Sequence, residues 1–280
     1  MNVNSAHTTS WRTAKRLLGL WHVLTAPLYW LYERSLLRAV HAGGRMPKHL
    51  GMILDGNRRF ARSLGLAPEQ GHDIGAAKAR EVLEWCLELG IDHITMWVFS
   101  SDNQGRAEHE VSHLFDLFEE QARKMAQDPK LHKHKVHVRV IGDISGFPER
   151  VQQALQHLEQ VTAHYQAMQL NIAIGYGGRE EITHAVRTML RSKASSASSL
   201  EALVEAISAE EIGKHLYTAG MPDPDFVIRT SGEVRLSGFL LWQTAYSEFY
   251  FCDVFWPSFR KVDLLRALRN FQARERRFGR

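Results

Sequence analysis

From Lys48 onward, short runs that are apolar throughout alternate with segments whose apolar residues recur every three or four positions. Continuous apolar runs mark strands buried on both faces, and the 3.6-residue period marks helices that cover them. The strand runs are His49–Leu54, Ile94–Phe99, Val136–Ile141, Leu170–Ile174, Phe226–Ile228 and Phe249–Val254. Helical spacing recurs between them at Ala79, Val82, Leu83 and Cys86, at Val111, Leu114, Phe115 and Phe118, and at Leu155, Leu158 and Val161. The alternation predicts an α/β fold with a central six-stranded, mainly parallel sheet flanked by helices. Ligands of such sheets bind beyond the C-terminal ends of the strands.

With 280 residues the chain buries a sizeable core without a disulfide or metal staple. Cys86 and Cys252 stand far apart and outside any C-x-x-C pair, which argues against a cysteine–zinc site and suits a reducing, cytoplasmic setting. The net charge of +4 permits an anionic ligand, but no dense basic stripe marks a nucleic-acid binder. Residues 1–45 read as a separate N-terminal helical segment, and 46–280 as one catalytic domain. Leu17–Tyr32 carries no formal charge and holds Trp21, Tyr29, Trp30 and Tyr32. It is shorter than the roughly 20 apolar residues of a spanning helix. Two readings stand: an interfacial helix peripheral to a membrane, or a helix packed on its own domain. Ser192–Ser199, with five serines and two alanines, reads as a flexible surface loop.

Three patterns look like chemistry and read better as structure. His109-Glu110-Val111-Ser112-His113 fits the zinc motif H-E-x-x-H. On a helix both histidines fall about 160° from Val111, away from the apolar stripe, so they are expected on the solvent face. The tract from His132 to His137 leads into a strand. Gly175-Tyr176-Gly177-Gly178 lacks the full dinucleotide fingerprint and reads as a tight turn.

Three predicted strand ends carry polyanion chemistry. The first runs into Asp55-Gly56-Asn57-Arg58-Arg59-Phe60-Ala61-Arg62. An acid at a strand end, a glycine, a helix start and three arginines suit a Mg²⁺–phosphate site. The second ends in Ser100-Ser101-Asp102-Asn103, with Arg106 following. The fifth ends in Arg229-Thr230-Ser231-Gly232-Glu233, followed by Arg235 and Ser237. Arginines beside hydroxyls fit phosphate oxygens. Glu248, after a predicted helical run Phe239–Tyr246, offers a second carboxylate. Such sites in a chain rich in apolar helices suit a diphosphate head with a hydrocarbon tail.

These residues resemble those of the cis-prenyltransferases, the family of undecaprenyl diphosphate synthases and their short-chain relatives. Matching stretches are Met52 to Asn57, Phe99 to Asn103, Ile141 to Asp143, Gly175 to Arg179, Asp225 to Pro257, and Arg274 to Gly279. The resemblance implies Mg²⁺-dependent condensation of isopentenyl diphosphate with an allylic diphosphate, in a homodimer with an apolar tunnel for the prenyl chain. It implies that Asp55 binds Mg²⁺ and assists loss of pyrophosphate. Gly56, Asn57, Arg58 and Arg59 then hold the allylic diphosphate, with Phe60 and His72 nearby. Ser100, Ser101, Asp102 and Arg106 join the substrate site. Arg229, Arg235, Leu236 and Ser237 hold isopentenyl diphosphate. Glu248 becomes a second Mg²⁺ ligand, reaching from the partner, and Asn103 matches a position assigned to proton removal. Arg277, Phe278 and Gly279 resemble a segment that reaches the partner's site.

Departures from the family pattern bear on the substrate. Gln104 stands where many members have Trp, and Pro68 and Val234 stand where long-chain members often have Arg and His. Val98 stands where long-chain members keep Ala, on the strand facing the tunnel, and its bulk predicts early arrest of the chain. The wording from Thr230 to Glu248 is nearest to short-chain Z-farnesyl diphosphate synthases, so the expected product is short, roughly C15 to C20. Two alternatives stand beside this: a long-chain undecaprenyl or decaprenyl diphosphate synthase, and a non-catalytic membrane-associated subunit of a prenyltransferase complex.

Overall fold

The computed structural model describes residues 27–194 and 199–274, which form two compact units. The larger unit, 46–259, is built on six strands: β1 (His49–Ile53), β2 (His93–Ser100), β3 (Val136–Ile141), β4 (Met168–Tyr176), β5 (Phe226–Arg229) and β6 (Glu248–Phe251). They lie in the order β3-β4-β2-β1-β5-β6, and every pairing is parallel. All six expected strands are present. β1 is buried along its whole length, as a central strand covered on both faces must be. The last strand ends at Phe251, so Cys252–Val254 of the expected run lies outside it.

The helices of this unit are α2 (Asn57–Ser63), α3 (Pro68–Glu88), α4 (Glu108–Ala126), α5 (Pro129–Lys133), α6 (Glu149–Thr162), α7 (Gly178–Ala194), α8 (Leu200–Glu205) and α9 (Ala209–Gly213). Pro68 opens α3 at a position whose N–H needs no partner. α2 and α3 approach closely because Gly71 and Gly75 lack side chains. A Cβ at Gly71 would strike the Asn57 carbonyl oxygen, and one at Gly75 the Asn57 side chain. Trp256 locks this junction by donating its indole N–H to the Gly75 carbonyl at 2.8 Å.

Two expectations change here. Phe239–Tyr246 forms a succession of turns rather than a helix. Positive φ at Ser237, Gly238 and Leu240 turns the chain away from helical geometry where that helix would begin. Ser192 and its neighbours to Ala194 belong to the last turn of α7, so the serine-rich loop starts later than composition suggests. The rest of it, 195–198, lies outside the described residues.

The second unit pairs α1, the helical residues 27–42, with the C-terminal helix α10 (Lys261–Gln272). Gln272 donates to the carbonyls of Val40 and Arg45 at 2.7 and 2.9 Å. Arg260 and Arg266 lie over the rings of Tyr29 and Tyr32. α1 therefore packs through one face, with Leu36 and Val40 buried, while Leu28, Trp30 and Leu31 remain exposed. Residues 17–26 of the charge-free stretch lie outside the described residues. Among the described residues no helix is long and apolar enough to cross a membrane.

Candidate functional site

Asp55 leaves the end of β1 and lies between β2 and β5 in the sheet order, where the strand ends open a polar cavity of about 580 Å³. Gly56 follows with φ 110°, and a Cβ there would press into Phe255, so glycine is needed for the turn. α2 then starts with no side-chain cap, and its first turn carries Arg58 and Arg59.

Both Asp55 carboxylate oxygens are engaged. Oδ2 accepts from Arg229 Nη2 at 2.8 Å, and Oδ1 from Arg59 Nη2 at 3.2 Å. Its backbone N–H donates to Thr230 Oγ1 at 3.0 Å, and its carbonyl accepts from that hydroxyl at 2.7 Å. Burial works to raise the Asp55 pKa, but the hydrogen bond and charge of Arg229, with Arg59 behind, outweigh it and hold the carboxyl below its ordinary range.

From Asp55 a closed circuit of charged and hydroxyl groups runs through the loop after β5. Arg59 donates to Glu233 at 2.8 Å and to Ser231 Oγ at 2.6 Å. Arg235 also bonds Glu233, and its Nε donates to Ser237 Oγ at 3.2 Å. Ser237 Oγ in turn accepts from Arg229 Nη1 at 2.8 Å, which leads back to Asp55. Ser231 and Ser237 have positive φ without being glycine, a local backbone strain that recurs in loops holding ligands.

The wall from β2 carries a register irregularity between Trp97 and Ser100, beside the cavity. Ser100, Asp102, Asn103 and Arg106 line this side. Asn103 Oδ1 accepts the Ser100 N–H at 3.2 Å, so its one good acceptor is committed to the turn Ser101–Gly105. Behind His72 and Arg106 lies Glu110, only 5% exposed. This is the acid of the H-E-x-x-H pattern. Its histidines are on the surface as expected, but each meets a carboxylate of α3: His109 Nε2 lies 3.4 Å from Glu69 and His113 Nε2 2.8 Å from Asp73. The buried stripe of α4 runs through Glu110, Leu114, Leu117, Phe118 and Ala122, rotated from the Val111-centred stripe of the sequence.

The cavity thus gathers Asp55, Gly56, Asn57, Arg58, Arg59, His72, Ser100, Asp102, Asn103, Arg106, Arg229, Arg235 and Ser237. Phe60, Ser101 and Leu236 do not line it, and Leu236 packs toward the Phe239 cluster of the core. Glu248 is also absent from the lining. It opens β6 level with Phe226, itself level with Leu50. At about 3.3 Å per residue it lies on the order of 15 Å from Asp55 along the strand direction. Glu110 and the lining residue Glu233 were not among the candidates. Glu233 stands between two arginines in the sequence, which was the available signal, whereas nothing local marks Glu110 as buried.

A second, apolar pocket of about 120 Å³ adjoins the first. Gly75, Ala76, Ala79 and Leu83 of α3, Leu114, Leu117 and Phe118 of α4, Leu155 and Leu158 of α6, and Met96, Leu170 and Ile172 of the sheet line it. The two share Leu54, Asn57, His72 and Val98.

Comparison with known proteins agrees with this chemistry. The Prenyltransf family model, described as undecaprenyl diphosphate synthase, matches residues 53–279. An isoprenyl transferase of Deinococcus radiodurans is 58% identical over 92% of this chain and 95% of its own. A (2Z,6E)-farnesyl diphosphate synthase of Thermobifida fusca is 47% identical over 92% of this chain and 99% of its own. The crystal structure of lavandulyl diphosphate synthase from Lavandula x intermedia, in complex with dimethylallyl diphosphate, superposes with a TM-score of 0.76 at 32% identity, covering 84% of this chain and 98% of that one. With its all-parallel sheet and paired polar and apolar cavities, this chain belongs to the undecaprenyl diphosphate synthase family of cis-prenyltransferases.

Proposed function

We propose that this enzyme joins isopentenyl diphosphate to an allylic diphosphate and stops at a short Z-configured product of roughly C15 to C20. The observation that carries the reading is the meeting of an arginine-rich cavity and an apolar one at Leu54, Asn57, His72 and Val98. A diphosphate sits in the first while its hydrocarbon tail enters the second, the prenyl tunnel. The first turn of α2, with Gly56, Asn57, Arg58 and Arg59 and with His72 beside it, takes the allylic diphosphate. Arg229, Arg235 and Ser237 take that of isopentenyl diphosphate. The allylic C–O bond breaks with its electron pair leaving on pyrophosphate, the isopentenyl double bond forms the new C–C bond, and the proton lost from the isopentenyl unit passes to a pyrophosphate oxygen or to water. Asn103 lines the same cavity, at the position the resemblance assigns to proton removal.

Mg²⁺ fits Asp55 only together with substrate. Among the described residues no three ligating side chains cluster. One carboxylate plus diphosphate oxygens is a common set for this ion. When bound, the ion neutralises the charge that develops on departing pyrophosphate. Within one chain Glu248 lies too far from Asp55 to share that ion, so its part as a second ligand requires a homodimer.

The assay is turnover of labelled isopentenyl diphosphate with Mg²⁺ and dimethylallyl, geranyl or farnesyl diphosphate in turn. A C15 or C20 product is expected. A C50 or C55 product makes the enzyme a long-chain synthase, and no product from the folded homodimer makes it a non-catalytic subunit. Val98 lines the junction of the cavities, so Val98→Ala is expected to lengthen the product by one or more C5 units. An unchanged length separates Val98 from chain arrest.

The exposed Leu28, Trp30 and Leu31 of α1, followed one and two turns later by Arg34 and Arg38, support peripheral docking on an anionic membrane. Leu28→Glu with Leu31→Glu is expected to abolish flotation with phosphatidylglycerol vesicles. Undiminished flotation removes α1 from the contact.

A further inference from the structure

We infer that Glu110 is the positioning residue that assembles the grip on the allylic diphosphate, although it does not itself face the cavity. Its Oε1 accepts from Arg106 Nη1 and pairs with His72 Nε2, each at 3.0 Å, and its Oε2 lies 3.8 Å from Arg58 Nη1. The three bases line the polar cavity, and Glu110 stands behind them. They arrive from separate places: Arg58 on α2, His72 on α3, and Arg106 just before α4. One carboxylate therefore ties together three basic side chains carried by three separate stretches of the chain.

Without that anion the cluster is unstable. Arg58 and Arg106 repel each other, and each long side chain regains rotamer freedom that diphosphate binding must then remove. His72 is driven toward its neutral form by burial, and the hydrogen bond and charge of Glu110 oppose this. Glu110 itself stays ionised: burial works to raise its pKa, but His72, Arg106 and Arg58 together pull it below the ordinary glutamate range. A buried anion beside a diphosphate site also repels the ligand, so the sign must be decided. The repulsion is offset because all of the Glu110 charge is spent on three partners. The ordering of the wall is lost entirely when the charge goes, and weaker binding results.

This inference rests on the diphosphate reading of the cavity and narrows it to one substrate, because Glu110 touches Arg58, His72 and Arg106 but neither Arg229 nor Arg235. In Glu110→Gln the KM for the allylic diphosphate is expected to rise tenfold or more, in the range for lost hydrogen bonds to charged groups. The KM for isopentenyl diphosphate should hold, even though loss of the buried carboxylate lowers the melting temperature. Arg106→Gln should raise the same KM, and the double variant should be no worse than the poorer single, because both act on one unit.

An unchanged allylic KM overturns the inference. So does a parallel rise in both KM values, which is the signature of a structural role alone. If Glu110→Gln does not fold, Arg106→Gln decides, and an unaltered allylic KM there overturns the inference equally. Failure of the wild type to turn over any allylic diphosphate counts against the functional reading instead, so the two failures are distinguishable.

Discussion

Replacing Asp55 with Ala is expected to lower turnover by about a thousandfold or more, the scale on which preorganised charge at a reacting centre acts. Asp55 is the carboxylate at the end of the buried central strand, held on one side by Arg229 and on the other by Arg59. Without it Arg229 and Arg59 lose the carboxylate they share, and the cavity has no carboxylate at this position for Mg²⁺. Asp55→Asn separates chemistry from architecture. It keeps the side-chain shape and leaves the backbone bonds to Thr230 and Trp256 in place, so its melting temperature should shift less than that of Asp55→Ala. Turnover should fall comparably in both. Loss of less than tenfold in Asp55→Asn would show that the charge is not required. The arginines also fix the pH window. Because the folded pKa is depressed, the stability Asp55 contributes is present above its unfolded value near 4 and is lost as pH falls through the folded one. Protonation of Asp55 therefore does not limit the enzyme at neutral pH.

Arg229→Met should damage both stability and substrate capture, whereas Arg235→Met should damage capture alone. The Arg229 side chain is 5% exposed and bridges Asp55 to Ser237. Breaking a fully buried ion pair costs about 3–5 kcal/mol, and the 28% exposure of the Asp55 side chain places this one nearer about 2–4 kcal/mol. The Arg235 side chain is 61% exposed, so its pair with Glu233 contributes less than about 1 kcal/mol. Both variants remove a guanidinium from the isopentenyl diphosphate end, so KM for that substrate should rise about a hundredfold in each. Denaturant titration beside steady-state kinetics checks the contrast. Equal stability losses in the two variants would mean that burial of Arg229 is not what anchors the loop after β5.

β1 and β5 were legible because a strand covered on both faces needs apolar side chains at every position, and both are buried at every residue. The polar side chains after β1, β2 and β5 were legible because ligands of a parallel sheet gather at its C-terminal edge. Residues whose burial depends on another element were not. Val111 centres the apolar period of α4, yet the packed face is turned so that Glu110 enters the interior, because His72 and Arg106 neutralise it there. Phe239–Tyr246 carries helical spacing but runs as turns, since the preceding residues adopt positive φ where Ser237 meets Arg229. Glu248 follows that stretch closely in sequence, but the parallel pairing of β6 carries it to the far end of the strands from Asp55.

The amino-acid order alone determined the strand count, the parallel class and the chemical types at the strand ends, because each depends on local periodicity and on a few adjacent residues. Only the tertiary structure decided the strand order β3-β4-β2-β1-β5-β6, the charge circuit from Asp55 through Glu233 to Arg229, and the burial of Glu110. Each of these joins groups far apart in the chain: Asp55 and Arg229 meet across 174 positions. Contacts over such separations are selected by packing and charge compensation across the whole fold, and no local pattern records them.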